Sequence, residues 1–242
     1  AYSWGAYGTH PYVLLNYEEN LGSVFTLAHE MGHALHSWYS DANQPYIYAG
    51  YKIFVAEVAS TCNEALLIHH LIRTAEGPKQ KAYLINYFLE QFRTTLFRQT
   101  MFAEFEKITH GMQEQGEALT ADRLCGIYHG LNREYFGENI CVDREIGLEW
   151  ARIPHFYTPF YVYQYATGFS AAIALSKRIL EEGETAVEQY KNFLKGGSSA
   201  YPLDLLRMAG VDMEQREPVE DALKVFTQYL DEMERLAGND EI

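Results

Sequence analysis

The sequence is short of basic residues and of cysteine, and it contains no long apolar run. Nineteen Lys and Arg stand against 33 Asp and Glu, and the resulting net charge of -14 opposes contact with phosphate backbones and anionic membranes. No stretch of about 18 apolar residues is available to cross a bilayer. The three cysteines lack the paired spacing of a zinc knuckle or a disulfide framework. We therefore predict a protein of the reducing cytoplasm, with no nucleic-acid partner and no membrane partner.

The size of the chain predicts one domain. Hydrophobic residues make up 48% of 242 positions, which is enough for a single large core. The N-terminus has no initiator Met and no signal-peptide pattern, and Ala-Tyr-Ser-Trp-Gly is typical of the middle of a strand or turn. We expect a domain over residues 1–242 that is a fragment of a longer chain. No oligomeric state is predicted.

The spacing of apolar residues predicts a mainly α-helical chain. HPYVLLNY, residues 10–17, is rich in aromatic and branched side chains and predicts a strand. Residues 137–159 are rich in Gly and Pro, and such an irregular segment within a helical frame is a common place for functional residues. Helical spacing and its start and stop signals predict helices over about 22–39, 52–74, 78–110, 121–136, 160–182, 185–194, 203–209 and 218–236.

The strongest motif is LAHEMGHA, residues 27–34. His29 and His33 are four residues apart, so on a helix both imidazoles project from one face and can bind one metal ion. Glu30 follows the first histidine; it cannot easily join the same coordination shell, but it can reach a water on the metal. The alternative is a helix without a metal site, in which both histidines are ordinary core or surface residues. The pattern favours a zinc site in which Glu30 is the general base.

Zinc in a hydrolase needs a third protein ligand, and the sequence offers several candidates. A metzincin is excluded because its later Gly and His positions hold His36 and Tyr39. His36 lies one turn beyond His33 and is interpreted as a neighbouring or packing residue. Glu57 and Glu64 lie two turns apart on one stripe of the next helix. Spacing alone does not choose between these two carboxylates.

Five stretches together resemble oligoendopeptidase F, in the thimet-oligopeptidase-like group of zinc peptidases. They are AYSWGAYGTHPYVLLNY, VFTLAHEMGHALHS, IFVAEVASTCNE, TLFRQTMFAEFE and IPHFYTPFYVYQYATG. The resemblance implies that Glu57 is the third zinc ligand. It also implies a mainly helical, zincin-like catalytic domain with a small β-sheet edging a deep channel. In that family an N-terminal helical region closes the channel, and a chain that starts at Ala1 would lack it.

The segment 153–165, IPHFYTPFYVYQY, offers donors for the oxyanion of peptide hydrolysis. Imidazole and phenol groups can both donate a hydrogen bond to a developing negative oxygen. The resemblance implies that His155, with Tyr157 and Tyr161, performs this task. Tyr165 lies four residues after Tyr161 and is a further candidate, whereas Tyr163 points elsewhere if the helix has begun. Any one of these tyrosines can instead be a packing residue.

Together these features predict a zinc-dependent endopeptidase that cuts internal bonds of short peptides with one Zn²⁺, Glu30 activating the zinc-bound water. Cobalt or manganese could occupy the same ligands. One alternative is a zinc exopeptidase, such as a carboxypeptidase. Another is a non-catalytic fragment that binds peptides, although a binding module has no need of a general base beside its metal.

Overall fold

Helices form most of the chain. The structure, a computed structural model, describes residues 1–238. Two strands come first, β1 (Tyr2–Trp4) and β2 (Tyr12–Leu14). The α-helices are α1 Leu21–Asn43, α2 Tyr46–Ala49, α3 Ile53–Arg73, α4 Pro78–Gln91, α5 Arg98–Glu114, α6 Ala121–Phe136, α7 Tyr163–Glu182, α8 Glu184–Leu194, α9 Pro202–Met208 and α10 Glu217–Gly238. None of these described helices combines the length and apolar character needed to cross a membrane. The predicted mainly α-helical fold with a small sheet is confirmed.

The two strands form an antiparallel pair. Tyr2 lies opposite Leu14, and Trp4 lies opposite Tyr12. The strand predicted over residues 10–17 is therefore correct in place but too long, because only three residues pair. Alternate side chains of a strand point to opposite faces, so these four large residues share one exposed face.

Helices α1 and α3 pack in close contact. Asn20 caps α1, its side-chain oxygen accepting the N–H of Ser23 at 2.9 Å. Further along, a Cβ added to Gly32 would lie 2.5 Å from the Cα of Ser60, so only glycine allows the two backbones to come this close. Asn63 of α3 ties the pair together by donating its side-chain amide to the carbonyl of Ala28 at 2.6 Å. This close approach places side chains of α3 against those of α1.

Three predicted boundaries are corrected by the structure. The single helix predicted over 78–110 consists of α4, a π-helical segment at Phe92–Phe97 and α5. A π turn takes in an extra residue without breaking the helix, so apolar spacing does not reveal it. Residues 144–152 and 154–157, predicted to be irregular, form 3-10 turns, and α7 begins at Tyr163 rather than at Phe160. Helix α2 was not predicted, because four residues are too few to show a period.

The chain divides into two compact units, each with its own core. The first comprises residues 1–90 and the described part of 167–242; its core joins Val58 and Cys62 of α3 to Leu175 of α7 and Phe193 of α8. The second comprises residues 91–166, and its core includes Met101, Phe102, Phe105, Tyr128 and Leu131. The prediction of one catalytic domain over 1–242 stays a prediction, as does the deep channel.

Candidate metal centre

Three side chains of the first unit converge between α1 and α3. The Nε2 atoms of His29 and His33 are 3.1 Å apart. Glu57 Oε2 lies 3.2 Å from His29 Nε2 and 3.6 Å from His33 Nε2. Within the described residues this is the one group of three or more His, Cys, Asp or Glu side chains whose donor atoms could hold a metal ion. Two of the three come from the sequence motif, and Gly32 allows α3 to bring the third.

The spacing of these donors fits a zinc ion. Zinc binds His nitrogen and carboxylate oxygen at about 2.0–2.2 Å in tetrahedral geometry, which separates any two ligand atoms by about 3.3 Å. The three observed separations, 3.1, 3.2 and 3.6 Å, bracket that value. Three protein ligands leave a fourth position open, as catalytic zinc sites require. The donor set therefore fits zinc without rearrangement of the helices.

A second carboxylate bonds to the ring nitrogen of His29 that is not part of the cluster. Glu64 Oε1 accepts a hydrogen bond from His29 Nδ1 at 2.6 Å. This bond keeps a proton on Nδ1 and turns Nε2 towards Glu57 and His33, so a metal bound there would use the Nε2 lone pair in place of the proton that Nε2 shares with Glu57. Metal-binding histidines commonly have such a partner, which orients the ring and increases its basicity. The structure thus distinguishes the two glutamates that spacing left open: Glu57 Oε2 lies within 3.6 Å of both Nε2 atoms, whereas Glu64 bonds to Nδ1 of His29.

Charges around the cluster shift the pKa of its members. Burial alone would lower the pKa of His29, but hydrogen bonds and ion pairing with Glu57 and Glu64 outweigh it and raise that pKa to about 10. Burial lowers the pKa of His33. The hydrogen bond from His29 holds the pKa of Glu57 below its usual value. A metal ion at these atoms therefore competes with a proton on His29.

Glu30 and His36 lie on the same helix as His29 and His33. Glu30 is adjacent to His29 and only 7% exposed, so a carboxylate is held in a largely desolvated place beside the cluster. His36 is buried and stacks on Tyr51 at 3.7 Å between ring centroids. Burial lowers the pKa of His36 to about 3, so the ring is neutral. His36 lies outside the ligand group, in agreement with its interpretation as a packing residue.

The predicted oxyanion donors lie in the second unit. His155 Nε2 and the Tyr165 hydroxyl are 3.3 Å apart, and the rings of His155 and Tyr161 stack at 5.6 Å. Tyr161 and Tyr165 also meet edge to face, although α7 begins only at Tyr163. Tyr157 is 86% exposed, and no ring contact joins it to the other three in this part of the structure. The roles of all four residues stay predictions.

Gly32 and Asn63 were missed by reasoning from the sequence. Gly32 is the second x of the H-E-x-x-H pattern, a position that the pattern leaves free, yet it sets the distance between α1 and α3. A glycine inside a strongly predicted helix is a usable signal, since it lowers helix stability unless close packing requires it. Asn63 gave no comparable signal.

Comparison with known proteins identifies the family of the chain. The model of Peptidase family M3 matches residues 1–225. The oligopeptidase PepF of Bacillus subtilis (strain 168) is 58% identical over 236 residues, which cover 98% of this chain and 35% of that protein. The chromosomal oligoendopeptidase F of Lactococcus lactis subsp. cremoris is 47% identical, covering 98% of this chain and 39% of that protein.

A solved structure gives the same result at the level of the fold. The crystal structure of oligoendopeptidase-F from Enterococcus faecium has a TM-score of 0.82 at 45% identity and covers 91% of this chain and 40% of that chain. The chain thus spans 35% to 40% of the length of these three relatives. Both the family match and the long, high-identity alignments confirm the resemblance inferred from the motifs: the chain belongs to Peptidase family M3.

Proposed function

We propose that this chain is the catalytic part of a zinc-dependent endopeptidase that hydrolyses internal bonds of short peptides. The observation that carries the proposal is the cluster of His29, His33 and Glu57 at zinc-like spacing, with the buried carboxylate of Glu30 beside it. Membership of a peptidase family and the oligopeptidase names of the relatives support the same reaction. The domain proposed for this activity is residues 1–242.

In this proposal each site residue of the first unit has one role. His29, His33 and Glu57 hold the ion, and Glu64 keeps His29 oriented through Nδ1. A zinc ion there would polarise the scissile carbonyl and acidify water. Glu30 accepts a proton from the attacking water on its carboxylate and later delivers it to the leaving amine.

His155, Tyr157, Tyr161 and Tyr165 are proposed to stabilise the oxyanion. Imidazole N–H and phenol O–H groups both donate to a developing negative oxygen. His155 and Tyr165 are within hydrogen-bonding distance of each other, which limits the orientations of both groups. Tyr157 is included because its exposed hydroxyl is free to meet a ligand.

The proposed setting is the cytoplasm, with short peptides as partners. The three cysteines are all free thiols, in agreement with a reducing compartment. The net charge of -14 disfavours nucleic acid and anionic membranes as partners and favours neutral or cationic peptides.

The test is hydrolysis of an internally quenched peptide whose two ends are blocked, which an exopeptidase cannot use. The unsubstituted chain, Glu30→Gln and the control Glu19→Gln, an exposed glutamate next to α1, are compared with zinc and with a chelator. We expect equal zinc contents, chelator-sensitive cleavage by the unsubstituted chain and the control, and a loss of roughly 10²–10⁴-fold for Glu30→Gln. Equal rates for Glu30→Gln would refute the role of Glu30. Zinc binding without any cleavage would favour the peptide-binding alternative.

A further inference from the structure

A cavity lies on the first unit, near the candidate metal cluster. Its volume is about 430 Å³, which falls within the roughly 300–1,000 Å³ of small-ligand sites. It is formed by the N-terminal hairpin, the C-terminal half of α1, α2 and the chain that follows α2. The side chains that matter for its chemistry are Trp4, Tyr7, Ser37, Asp41, Tyr46 and Tyr51.

Asp41 gives this cavity a negative charge that no neighbour neutralises. Its carboxylate has no hydrogen bond and no ion pair within residues 1–238. Partial burial removes water from it and raises its pKa, so the charge is held at some cost in solvation. A cationic group entering the cavity would recover that cost by pairing with the carboxylate.

Four aromatic side chains form part of the walls, and they too are suited to a cation. Tyr7 and Tyr46 meet edge to face at 5.5 Å, and the Tyr7 hydroxyl is fixed by donating to the carbonyl of Gln44 at 2.9 Å. Trp4 remains 76% exposed at the rim, although it is the ring type that binds cations best. Ring faces carry negative potential, so aromatic walls attract an ammonium or guanidinium group and also cover its alkyl stem.

The cavity and the metal cluster share one face of α1. His33, Ser37 and Asp41 follow one another at intervals of four residues, and eight residues of helix span about 12 Å. Tyr51 lies along this line, its hydroxyl hydrogen-bonded to Ser37 Oγ at 3.0 Å. Tyr51 itself lines the cavity, and burial raises the pKa of its hydroxyl, with smaller contributions from the negative charges of Glu57 and Asp41. An extended peptide covers about 3.3–3.6 Å per residue, so 12 Å corresponds to three or four residues.

We propose that this cavity binds a lysine or arginine side chain of the peptide substrate, three or four residues from the bond that is cut. The inference rests on the proposed endopeptidase function and adds a preference to it. The unpaired carboxylate supplies the charge, the aromatic rings supply the walls, and α1 sets the distance. Peptides with a neutral side chain at that position leave Asp41 unpaired and bind less well.

The experiment measures kcat/KM for quenched peptides of nine residues that are identical except at one position. Two matched series are made, in which either lysine or norleucine occupies each position in turn on both sides of the scissile bond. Norleucine has a similar length to lysine but no charge. The quantity compared is the lysine-to-norleucine ratio for the unsubstituted chain, Asp41→Asn and the control Asp231→Asn, an exposed aspartate of α10. The same peptides, labelled with a fluorophore, are titrated into the zinc-loaded Glu30→Gln chain with and without Asp41→Asn.

We expect a ratio of about ten at one position three or four residues from the scissile bond, falling towards one in Asp41→Asn and unchanged in the control. Raising the salt concentration should reduce the ratio, because part of it is Coulombic. A ratio near one at every position, or a ratio that survives Asp41→Asn, overturns the proposal. If no peptide is cut but lysine binding depends on Asp41, the endopeptidase function fails and the cavity stands. If binding shows no lysine preference either, both fail.

Discussion

Gly32→Ala should loosen the metal centre without touching a ligand. The added Cβ would lie 2.5 Å from Ser60 Cα and 2.8 Å from the carbonyl of Ala59, both backbone atoms that cannot rotate away. Ordinary contact begins near 3.4 Å, so α1 and α3 must separate locally by about 0.9 Å. Overpacking of this kind costs about 1–3 kcal/mol, and the better helix propensity of alanine offsets up to about 1 kcal/mol. We expect a net loss of about 1–2 kcal/mol in the free energy of unfolding.

The same separation should weaken metal binding, because Glu57 belongs to α3 and both histidine ligands belong to α1. Metal–ligand distances tolerate changes of only about 0.2 Å, so we expect zinc affinity to fall at least tenfold. Urea unfolding of the metal-free chain and zinc competition against a chromophoric chelator measure the two effects. Gly168→Ala is the matched control, since its Cβ would meet only Val58 Cγ2 at 4.0 Å inside a helix of the same unit. A Gly32→Ala chain with unchanged stability and unchanged zinc affinity would show the reasoning to be wrong.

Two other perturbations give predictions of known sign. Glu64→Gln keeps an oxygen for His29 Nδ1–H but removes the charge, so chelator competition should show zinc affinity lowered by about tenfold; an unchanged affinity counts against an orienting role. Burial lowers the pKa of His69 from 6.5 to about 4. Between these two pH values the side chain is protonated in the unfolded chain and neutral in the folded chain. Stability should therefore fall as the pH drops from 6.5 to 4, by at most about 3 kcal/mol from this residue. Urea unfolding across this range should show a smaller loss for His69→Gln, and an identical loss would contradict the assignment.

The sequence predicts which side chains of α1 lie together, but not which side chain of α3 joins them. The four-residue interval of His29 and His33 predicts that both imidazoles project from one face of a helix, and their Nε2 atoms are 3.1 Å apart in the structure. Glu57 and Glu64 could not be separated by spacing, since seven residues return to nearly the same side of a helix. What separates them is the crossing of α1 and α3 at Gly32, and that depends on a contact between distant residues.

In the fold as well, features that depend on neighbouring residues were predicted, and features that depend on distant contacts were not. Long helices such as α1 and α3 have enough turns for an apolar period to be visible, and their predicted positions agree with the structure to within a few residues. The π segment at Phe92–Phe97 and the short helix α2 carry no such period. The cavity at Asp41 was also not predicted, because its walls come from separate elements.

The contact between α2 and the loop after α8 has a consequence for the order of folding. Ser198 donates its backbone N–H to the carbonyl of Tyr48 at 2.8 Å, across 150 residues of sequence. Gly197, with a φ of +54°, lies so close to the same carbonyl that a side chain would not fit. Closing so long a loop is entropically costly, whereas the contact between α1 and α3 spans only 35 residues. We therefore expect pulsed hydrogen exchange to show the amides of α1 protected before that of Ser198, so that His29, His33 and Glu57 come together while the wall around Tyr46 is still forming.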